Sequence, residues 1–212
     1  HEALGALLER RDPDASGTVL GAGSDDLEAG RRFLATLVAG GWMVPTWPTR
    51  HGGRDADAEE AARIDAAMAA YEVADPYPYG VGLNLVGPVI LERGSPEQQD
   101  RWLRPIADGS EVWCQMFSEP DAGSDLANLG TRAERDGDEY VVNGSKIWTS
   151  GGHKAQFGIL IARTDPDVPK HKGISYFICP TDLPGLSMTP IIDATTAHSF
   201  NQVFFDDVRI PA

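Results

Sequence analysis

Residues 115–125 have the sequence QMFSEPDAGSD, and the pattern of the chain changes at this segment. Before it, apolar residues recur with helical spacing, and after it short apolar runs alternate with turn residues. Pro120 fixes its own φ, and Gly123 permits a left-handed backbone or the close approach of another group. Ser118 and Ser124 carry hydroxyls that can donate hydrogen bonds to a ligand. The segment is either a ligand-binding loop or a plain turn capped by its own aspartates, and composition alone favours the turn.

The part before this segment, residues 1–110, is predicted to be a helical domain. Apolar periodicity predicts four helices, at 27–38, 57–74, 83–93 and 96–107. The third is apolar nearly all round, which is typical of a buried helix. The fourth has the strongest start signal, because Ser95 is an N-cap residue, Pro96 suits the first helical position and Gln98 completes a capping box.

The part after it, residues 111–212, is predicted to be a small antiparallel β-barrel or sandwich. The turn dipeptide Asn143-Gly144 separates two apolar runs, 140–142 and 146–148, and this pattern predicts a hairpin. Four more strands are predicted, at 157–162, 174–178, 186–190 and 200–205. The strand that contains Pro190 is expected near an edge of the sheet. The predicted fold class is therefore α+β, with an all-α domain followed by a β-domain.

Composition excludes several classes of function. The net charge of 18 − 32 = −14 argues against a nucleic-acid partner, which requires a basic face. No apolar run is long enough for a membrane span, and neither the two cysteines nor the five histidines have metal-ligand spacing. Two distant cysteines fit reduced thiols and a cytoplasmic location. The basic run 170–172 predicts a solvated loop tip or a contact for a phosphorylated ligand.

Residues 115–125 resemble the signature of the acyl-CoA dehydrogenase family of flavoproteins. In that signature an aliphatic residue, Ser or Thr, Glu-Pro, a small residue and Ala-Gly-Ser-Asp follow in order. Three further segments resemble the family in the same order, at 94–105, 137–151 and 203–211. The resemblance covers about residues 30–212 and implies the N-terminal helical and middle β-domains of the family, without its C-terminal helical bundle.

The resemblance implies FAD-dependent α,β-dehydrogenation of an acyl-CoA thioester. In the family a carboxylate removes the α proton while a hydride leaves the β carbon for flavin N5, and oriented donors stabilise the developing enolate charge. Most members carry that carboxylate in the C-terminal bundle. No residue of this chain is therefore assigned as the catalytic base, and Glu119 takes a structural role.

The resemblance also implies which residues bind the cofactor. The expected flavin-binding residues are Gln115, Phe117, Ser118, Gly123, Ser124, Trp148, Thr149 and Ser150. Ser118 is expected to donate to a polar edge of the ring, Thr149 to bond near N5, and Ser124 also to touch the pantetheine arm of the substrate. Trp148 is expected either to stack near the ring or to lie in the barrel core. The bulky Phe117 departs from the family pattern, in which small or aliphatic residues often stand at this position.

The expected partners are an acyl-CoA substrate and an electron-transfer flavoprotein or similar acceptor, within a homo- or hetero-oligomer that serves bacterial lipid metabolism. Segments 148–153 and 157–164 resemble bacterial members, some of which handle branched or steroid thioesters. Fold alone does not fix the reaction. An acyl-CoA oxidase, a flavin monooxygenase of the same superfamily, and a cofactor-free subunit of a hetero-oligomeric dehydrogenase therefore remain alternatives.

Overall fold

A computed structural model describes residues 2–11, 27–72 and 78–212 of the chain. The chain forms two compact units, His1–Glu111 and Val112–Ala212. Within the described residues, no helix has both the length and the apolar character that crossing a membrane requires.

The first unit is helical, as the sequence predicts. Its α-helices are α1 (Glu2–Gly5), α2 (Leu27–Ala39), α3 (Ala58–Met68), α4 (Gly87–Arg93) and α5 (Pro96–Ala107). A 3-10 turn (Thr49–His51) follows α2, and a π-helical segment (Gly82–Val86) leads into α4. Helix α3 ends at Met68; the predicted helix continued through 69–72, which are not helical, to 73 and 74, which lie outside the described residues. The third predicted helix is buried on one face only, because Leu85 and Val89 are exposed.

Helix α5 begins where its capping signals predict. The Ser95 hydroxyl accepts a hydrogen bond from the Gln98 amide at 3.3 Å, and the Gln98 side chain accepts one from the Ser95 amide at 2.8 Å. These two bonds satisfy donors that every helix N-terminus leaves free. Leu103 and Ile106 form its buried face. Local chemistry and the apolar stripe therefore specify the same helix.

Gly87 allows helix α4 to pack closely against the loop between α2 and α3. A Cβ atom on Gly87 would lie 2.2 Å from the ring of Trp47, which is 5% exposed. Only glycine lets the helix approach the indole this closely. The two prolines that flank this part of the loop, Pro45 and Pro48, accept backbone hydrogen bonds that hold it in place.

The second unit is one seven-stranded sheet. Its strands are β1 (Trp113–Met116), β2 (Arg132–Asp136), β3 (Glu139–Ser150), β4 (Phe157–Arg163), β5 (Ile174–Pro180), β6 (Leu186–Ile192) and β7 (His198–Pro211). β3 pairs antiparallel with β2 and β7, β7 with β6, and β4 with β5. β4 also pairs in parallel with β1 and, at its last residue, with β2.

The predicted fold class is confirmed, with one refinement. The sheet is a curled, mixed half-barrel, because β1 and β2 run parallel to β4. β5 pairs only with β4 and β6 only with β7, so the sheet stays open. The prediction that the strand with Pro190 lies at an edge is confirmed, since an edge strand tolerates a residue without an N–H.

The predicted hairpin at Asn143-Gly144 is wrong. β3 runs without interruption from Glu139 to Ser150, and the turn lies at Gly137-Asp138, between β2 and β3. Asn143 instead marks a bulge, because one residue of β3 faces two residues of β7. The side chain of Asn143 exchanges two hydrogen bonds, each of 2.9 Å, with Asp207. The Asn-Gly dipeptide therefore stabilises a bulge between paired strands.

Candidate functional site

A second bulge turns Trp148 out of the sheet. Lys146 pairs with Val203 and Thr149 with Asn201, so two residues of β3 face one residue of β7. Trp148 has a φ of +60°, which is uncommon for a residue with a side chain. Its indole is 58% exposed and meets the Phe200 ring edge-to-face, with the ring centroids 5.9 Å apart. The expectation that Trp148 belongs to the barrel core is therefore wrong.

The 115–125 segment lies directly beside this bulge. The Ile147 amide donates a hydrogen bond of 2.8 Å to the Ser118 carbonyl. The Lys146 ammonium donates one of 3.0 Å to the Phe117 carbonyl. Ser118 is half-buried. The structure thus brings together the two segments from which the sequence predicts a ligand site, although about 30 residues separate them in the chain.

A buried ion pair lies under this junction. Lys146 is fully buried, and its ammonium also donates to a Glu119 carboxylate oxygen at 2.7 Å. The Gly130 and Thr131 amides donate to the same carboxylate at 2.6 and 3.0 Å. Burial lowers the pKa of Lys146, and Glu119 offsets part of that effect. Burial raises the pKa of Glu119, but its hydrogen bonds together outweigh burial, and the resulting pKa is below the ordinary value.

Sequence reasoning did not identify Lys146 as part of the site. Lysines are seldom fully buried unless they are paired, so a lysine on a strand is expected to face solvent. One signal was present, because the period of two along β3 places Lys146 on the same face as the buried Val142. The partner carboxylate lies 27 positions earlier and cannot be recognised from local spacing.

Thr149 is fully buried, and its hydroxyl oxygen has no hydrogen-bond partner among the residues that the structure describes. A buried hydroxyl without a partner costs free energy and calls for an explanation. The Thr149 carbonyl accepts a 3.1 Å bond from the side-chain amide of the buried Asn201. Asn201 also contacts His153 and His198, whose rings stack with centroids 3.8 Å apart. The sequence analysis identified none of these three residues, which meet only through the pairing of β3 with β7.

The other predicted site residues lie around the same junction. Gln115 is half-buried in β1. Phe117 is half-buried against a cluster formed by Ala122, Leu129 and Ile161. Ser150 is half-buried at the end of β3, opposite Phe200. These three side chains are therefore only partly accessible to a ligand.

Gly123 and Ser124 lie on the exposed part of the segment. Gly123 has no positive φ, and a Cβ atom placed on it would meet nothing within 4 Å. Within the described residues, neither backbone strain nor crowding requires a glycine at this position. A group that approaches the backbone from outside the chain would account for it.

The basic run 170–172 extends to the same segment. Lys170 is exposed, and its ammonium contacts both carboxylate oxygens of Asp125 at 2.7 and 2.8 Å. Arg163 donates to the carbonyls of Ala127 and Lys170. The tip of this loop is solvated, which is one of the two predicted alternatives. The Lys170–Asp125 ion pair also joins the loop to the residue that follows Ser124.

Among the described residues, the remaining polar groups of the second unit form no second candidate site. Within the described residues, no group of three His, Cys, Asp or Glu side chains is arranged to hold a metal ion. Cys114 and Cys179 are both fully buried, and burial raises the pKa of each thiol to about 12. Such thiols are unreactive at neutral pH.

Comparison with known proteins agrees with this arrangement. The model of the acyl-CoA dehydrogenase N-terminal domain matches residues 22–110, and that of the middle domain matches residues 114–208. The acyl-CoA dehydrogenase IpdE1 of Mycobacterium tuberculosis is 42% identical over 192 residues, which cover 87% of this chain and 48% of that protein.

Two solved structures are similar in both fold and sequence. The structure named Tcur3481-Tcur3483 steroid ACAD has a TM-score of 0.72 and 39% identity, and the match covers 87% of this chain and 47% of that chain. The ChsE4-ChsE5 complex from Mycobacterium tuberculosis has a TM-score of 0.69 and 38% identity, with 86% and 46% covered. The chain belongs to the acyl-CoA dehydrogenase family. It spans about half the length of IpdE1.

Proposed function

We propose that the protein is an FAD-dependent acyl-CoA dehydrogenase and that this chain supplies one wall of its flavin site. The observation that carries the proposal is the hydrogen bond from the Ile147 amide to the Ser118 carbonyl. This bond joins residues 115–125, called the signature segment from here on, to the bulge that exposes Trp148. When bound, FAD would supply the hydride acceptor.

Three features of the chain fit a flavin at this wall. The exposed indole of Trp148 offers an aromatic face against which a planar ring can pack. The buried Thr149 hydroxyl lacks a partner among the described residues, and a polar edge of the ring would provide one once a local shift at the bulge uncovers it. The exposed Gly123 leaves space for a group at the backbone of the segment. These features support the predicted contacts of Trp148, Thr149 and Gly123.

The remaining predicted residues take supporting roles. Phe117 and Gln115, both half-buried, would border the ring, and Ser150 would close its edge at the end of β3. Gly123 and Ser124 would approach the cofactor, and Ser124 would also bind the pantetheine arm of an acyl-CoA. The chain would thereby hold and orient cofactor and substrate, whereas the base that takes the α proton would come from outside residues 1–212.

We propose acyl-CoA thioesters as the substrate class, with steroid thioesters tested first, because one similar structure is named a steroid ACAD. That protein and the ChsE4-ChsE5 complex are named as assemblies of two different subunits. A second, non-identical subunit is therefore the first partner to look for, and an electron-transfer flavoprotein is the proposed acceptor.

The test uses the complete gene product, purified together with any subunit that accompanies it. The expected result is a yellow protein whose flavin absorbance is lost on anaerobic addition of a matching acyl-CoA and restored by an artificial electron acceptor. Restoration by oxygen at the turnover rate would favour an oxidase or monooxygenase. A colourless preparation that binds no added FAD would contradict the proposal and favour a cofactor-free subunit.

A further inference from the structure

We propose that Lys146 is a positioning residue for the flavin site and that it sets the distance between the signature segment and the Trp148 bulge. The inference rests on the proposed function. Lys146 is fully buried and donates hydrogen bonds to Glu119 and to the Phe117 carbonyl. Because its side chain is enclosed by the chain, it acts through these neighbours.

The ion pair connects three separate stretches of the chain. Lys146 lies on β3, two residues before the exposed Trp148. Its two acceptors lie on the signature segment, on either side of Ser118. The Glu119 carboxylate also accepts from the backbone amides of Gly130 and Thr131, just before β2. A displacement of any one of these stretches would break at least one of these bonds.

The position of Ser118 follows from this geometry. Its carbonyl accepts from the Ile147 amide, while the residues before and after it are held by the Lys146 ammonium. The segment is thus attached to β3 at three successive residues, through the backbone carbonyls of Phe117 and Ser118 and the side chain of Glu119. The bulge begins immediately after Lys146, because the regular pairing with β7 stops there. Lys146 is therefore the last regularly paired residue before the bulge, and its ammonium also holds the signature segment in place.

Stability alone does not require a buried ion pair at this position. Removing two charges from water is costly, and well-packed apolar side chains of similar volume are often as stable. A buried pair that fixes geometry is one explanation for keeping the charges. A purely structural role and a positioning role predict different behaviour for a variant in which both charges are removed together.

The test compares four forms of the complete gene product: wild type, Glu119→Gln, Lys146→Met, and the double variant. Glu119→Gln keeps one oxygen acceptor and the shape of the side chain but leaves the buried Lys146 ammonium without its counter-charge, so a fall in the thermal midpoint is expected for it as well. Lys146→Met leaves a buried carboxylate without its partner, so a large fall in the thermal midpoint is expected. The double variant is expected to recover most of that fall, because no unpaired charge remains.

The decisive readouts are the FAD dissociation constant and the visible flavin spectrum of Glu119→Gln and of the double variant. The positioning role predicts FAD binding weaker by about tenfold or more and a shifted flavin band in both, even where the thermal midpoint has recovered. Hydrogen exchange at the Ile147 amide should also become faster. Arg209→Met, which breaks exposed ion pairs with Asp136 and Glu139, is the control and should leave both flavin readouts unchanged.

Failure of this inference can be distinguished from failure of the proposed function. If wild type binds FAD and the recovered double variant and Glu119→Gln bind it with the wild-type affinity and spectrum, Lys146 is structural only and the inference is overturned. If wild type itself binds no FAD, the proposed function fails first. Faster exchange at Ile147 together with weaker FAD binding in Glu119→Gln supports the inference even when both Lys146 variants fail to fold.

Discussion

Trp148 combines an unfavourable backbone conformation with an exposed aromatic side chain. A positive φ costs a residue with a Cβ atom about 1–2 kcal/mol, and an exposed indole gives up burial that other tryptophans obtain. Its φ of +60° persists because the flanking residues, Lys146 and Thr149, are fixed in regular pairs with β7. Strain of this kind is concentrated at functional sites, and the proposed flavin contact would explain it here.

Replacing Trp148 should separate stability from cofactor binding. Trp148→Gly is expected to change the free energy of unfolding by less than about 1 kcal/mol, because relief of the positive φ offsets the lost edge-to-face contact with Phe200. FAD affinity should fall by at least about tenfold. Chemical denaturation and FAD titration measure the two effects. Phe204→Ala, at another partly exposed aromatic on β7, is the control, and a Trp148→Gly protein with normal FAD affinity would count against the stacking role.

His51 makes the stability of the helical unit depend on pH. Its side chain is buried, and the Arg50 guanidinium donates to its Nε2 atom at 2.8 Å, which requires a neutral imidazole acceptor. Burial first, and Arg50 second, lower the pKa of His51 below its ordinary value of 6.5, while Asp100 offsets part of the shift. The folded state therefore resists protonation of this ring more than the unfolded state does.

The sign of the effect follows from that difference. Above the ordinary pKa both states are neutral and stability is full; as pH falls from about 6.5 through the lowered folded pKa, the unfolded state binds a proton first and stability is lost. His51→Gln should remove this part of the curve when unfolding is measured from pH 8 to pH 5. His171→Gln, on an exposed loop of the other unit, should follow wild type. Identical slopes for wild type and His51→Gln would refute the assignment.

The pairing of β3 with β7 organises the second unit and contains both bulges. At the first, Asn143 replaces the missing ladder bonds by its two bonds to Asp207, which itself has a φ of +51°. At the second, the extra residue of β3 turns Trp148 outward. Bulges increase local twist and redirect side chains, so this strand pair both curls the sheet and forms part of the site.

Two glycines beside this strand pair allow a matched comparison. Gly144 has a φ of +145°, and a Cβ atom there would lie 2.6–2.9 Å from atoms of Thr131, whereas Gly137 has a φ of +68° and open space around it. Gly137→Ala is expected to cost about 1 kcal/mol from strain alone. Gly144→Ala should cost about 2–4 kcal/mol, because overpacking adds to strain. Thermal unfolding of both variants measures the difference, and equal losses would contradict the packing at Thr131.

Local signals in the sequence predicted some elements and not others. Helix α5 was predicted to the residue because Ser95, Pro96 and Gln98 act within four positions of one another. The turn at Gly137-Asp138 was missed and one at Asn143-Gly144 was predicted, because the same dipeptide suits a turn and a bulge. Which one forms depends on β7, some 60 residues later, and no local pattern carries that information.

For the site, the sequence predicted the segments better than the contacts. Ser118 and Trp148 were recognised from motifs, and the structure brings their segments together. The buried Lys146 and Asn201 were not recognised, since polar residues of these types are usually exposed. Their positions follow from pairings between strands far apart in sequence, which composition and periodicity do not encode.

Under the proposed function, the chain as a unit carries one side of a flavin site. It spans 48% of IpdE1, and the residues that would hold flavin all lie between Gln115 and Ser150. Its net charge of −14 gives no attraction for an anionic thioester at long range, so binding must come from local contacts. Lys170, a basic side chain beside the exposed Ser124, is engaged by Asp125. Under the proposed function, activity would also depend on groups outside this wall.

A structure of the complete gene product with FAD bound tests the flavin assignment most directly. The expected result is an isoalloxazine ring packed against Trp148, with Ser118 and Thr149 within hydrogen-bond distance, about 2.7–3.2 Å, of its polar edge. A flavin bound elsewhere, with the Thr149 hydroxyl still without a partner and the Trp148 indole still in solvent, would contradict the assignment.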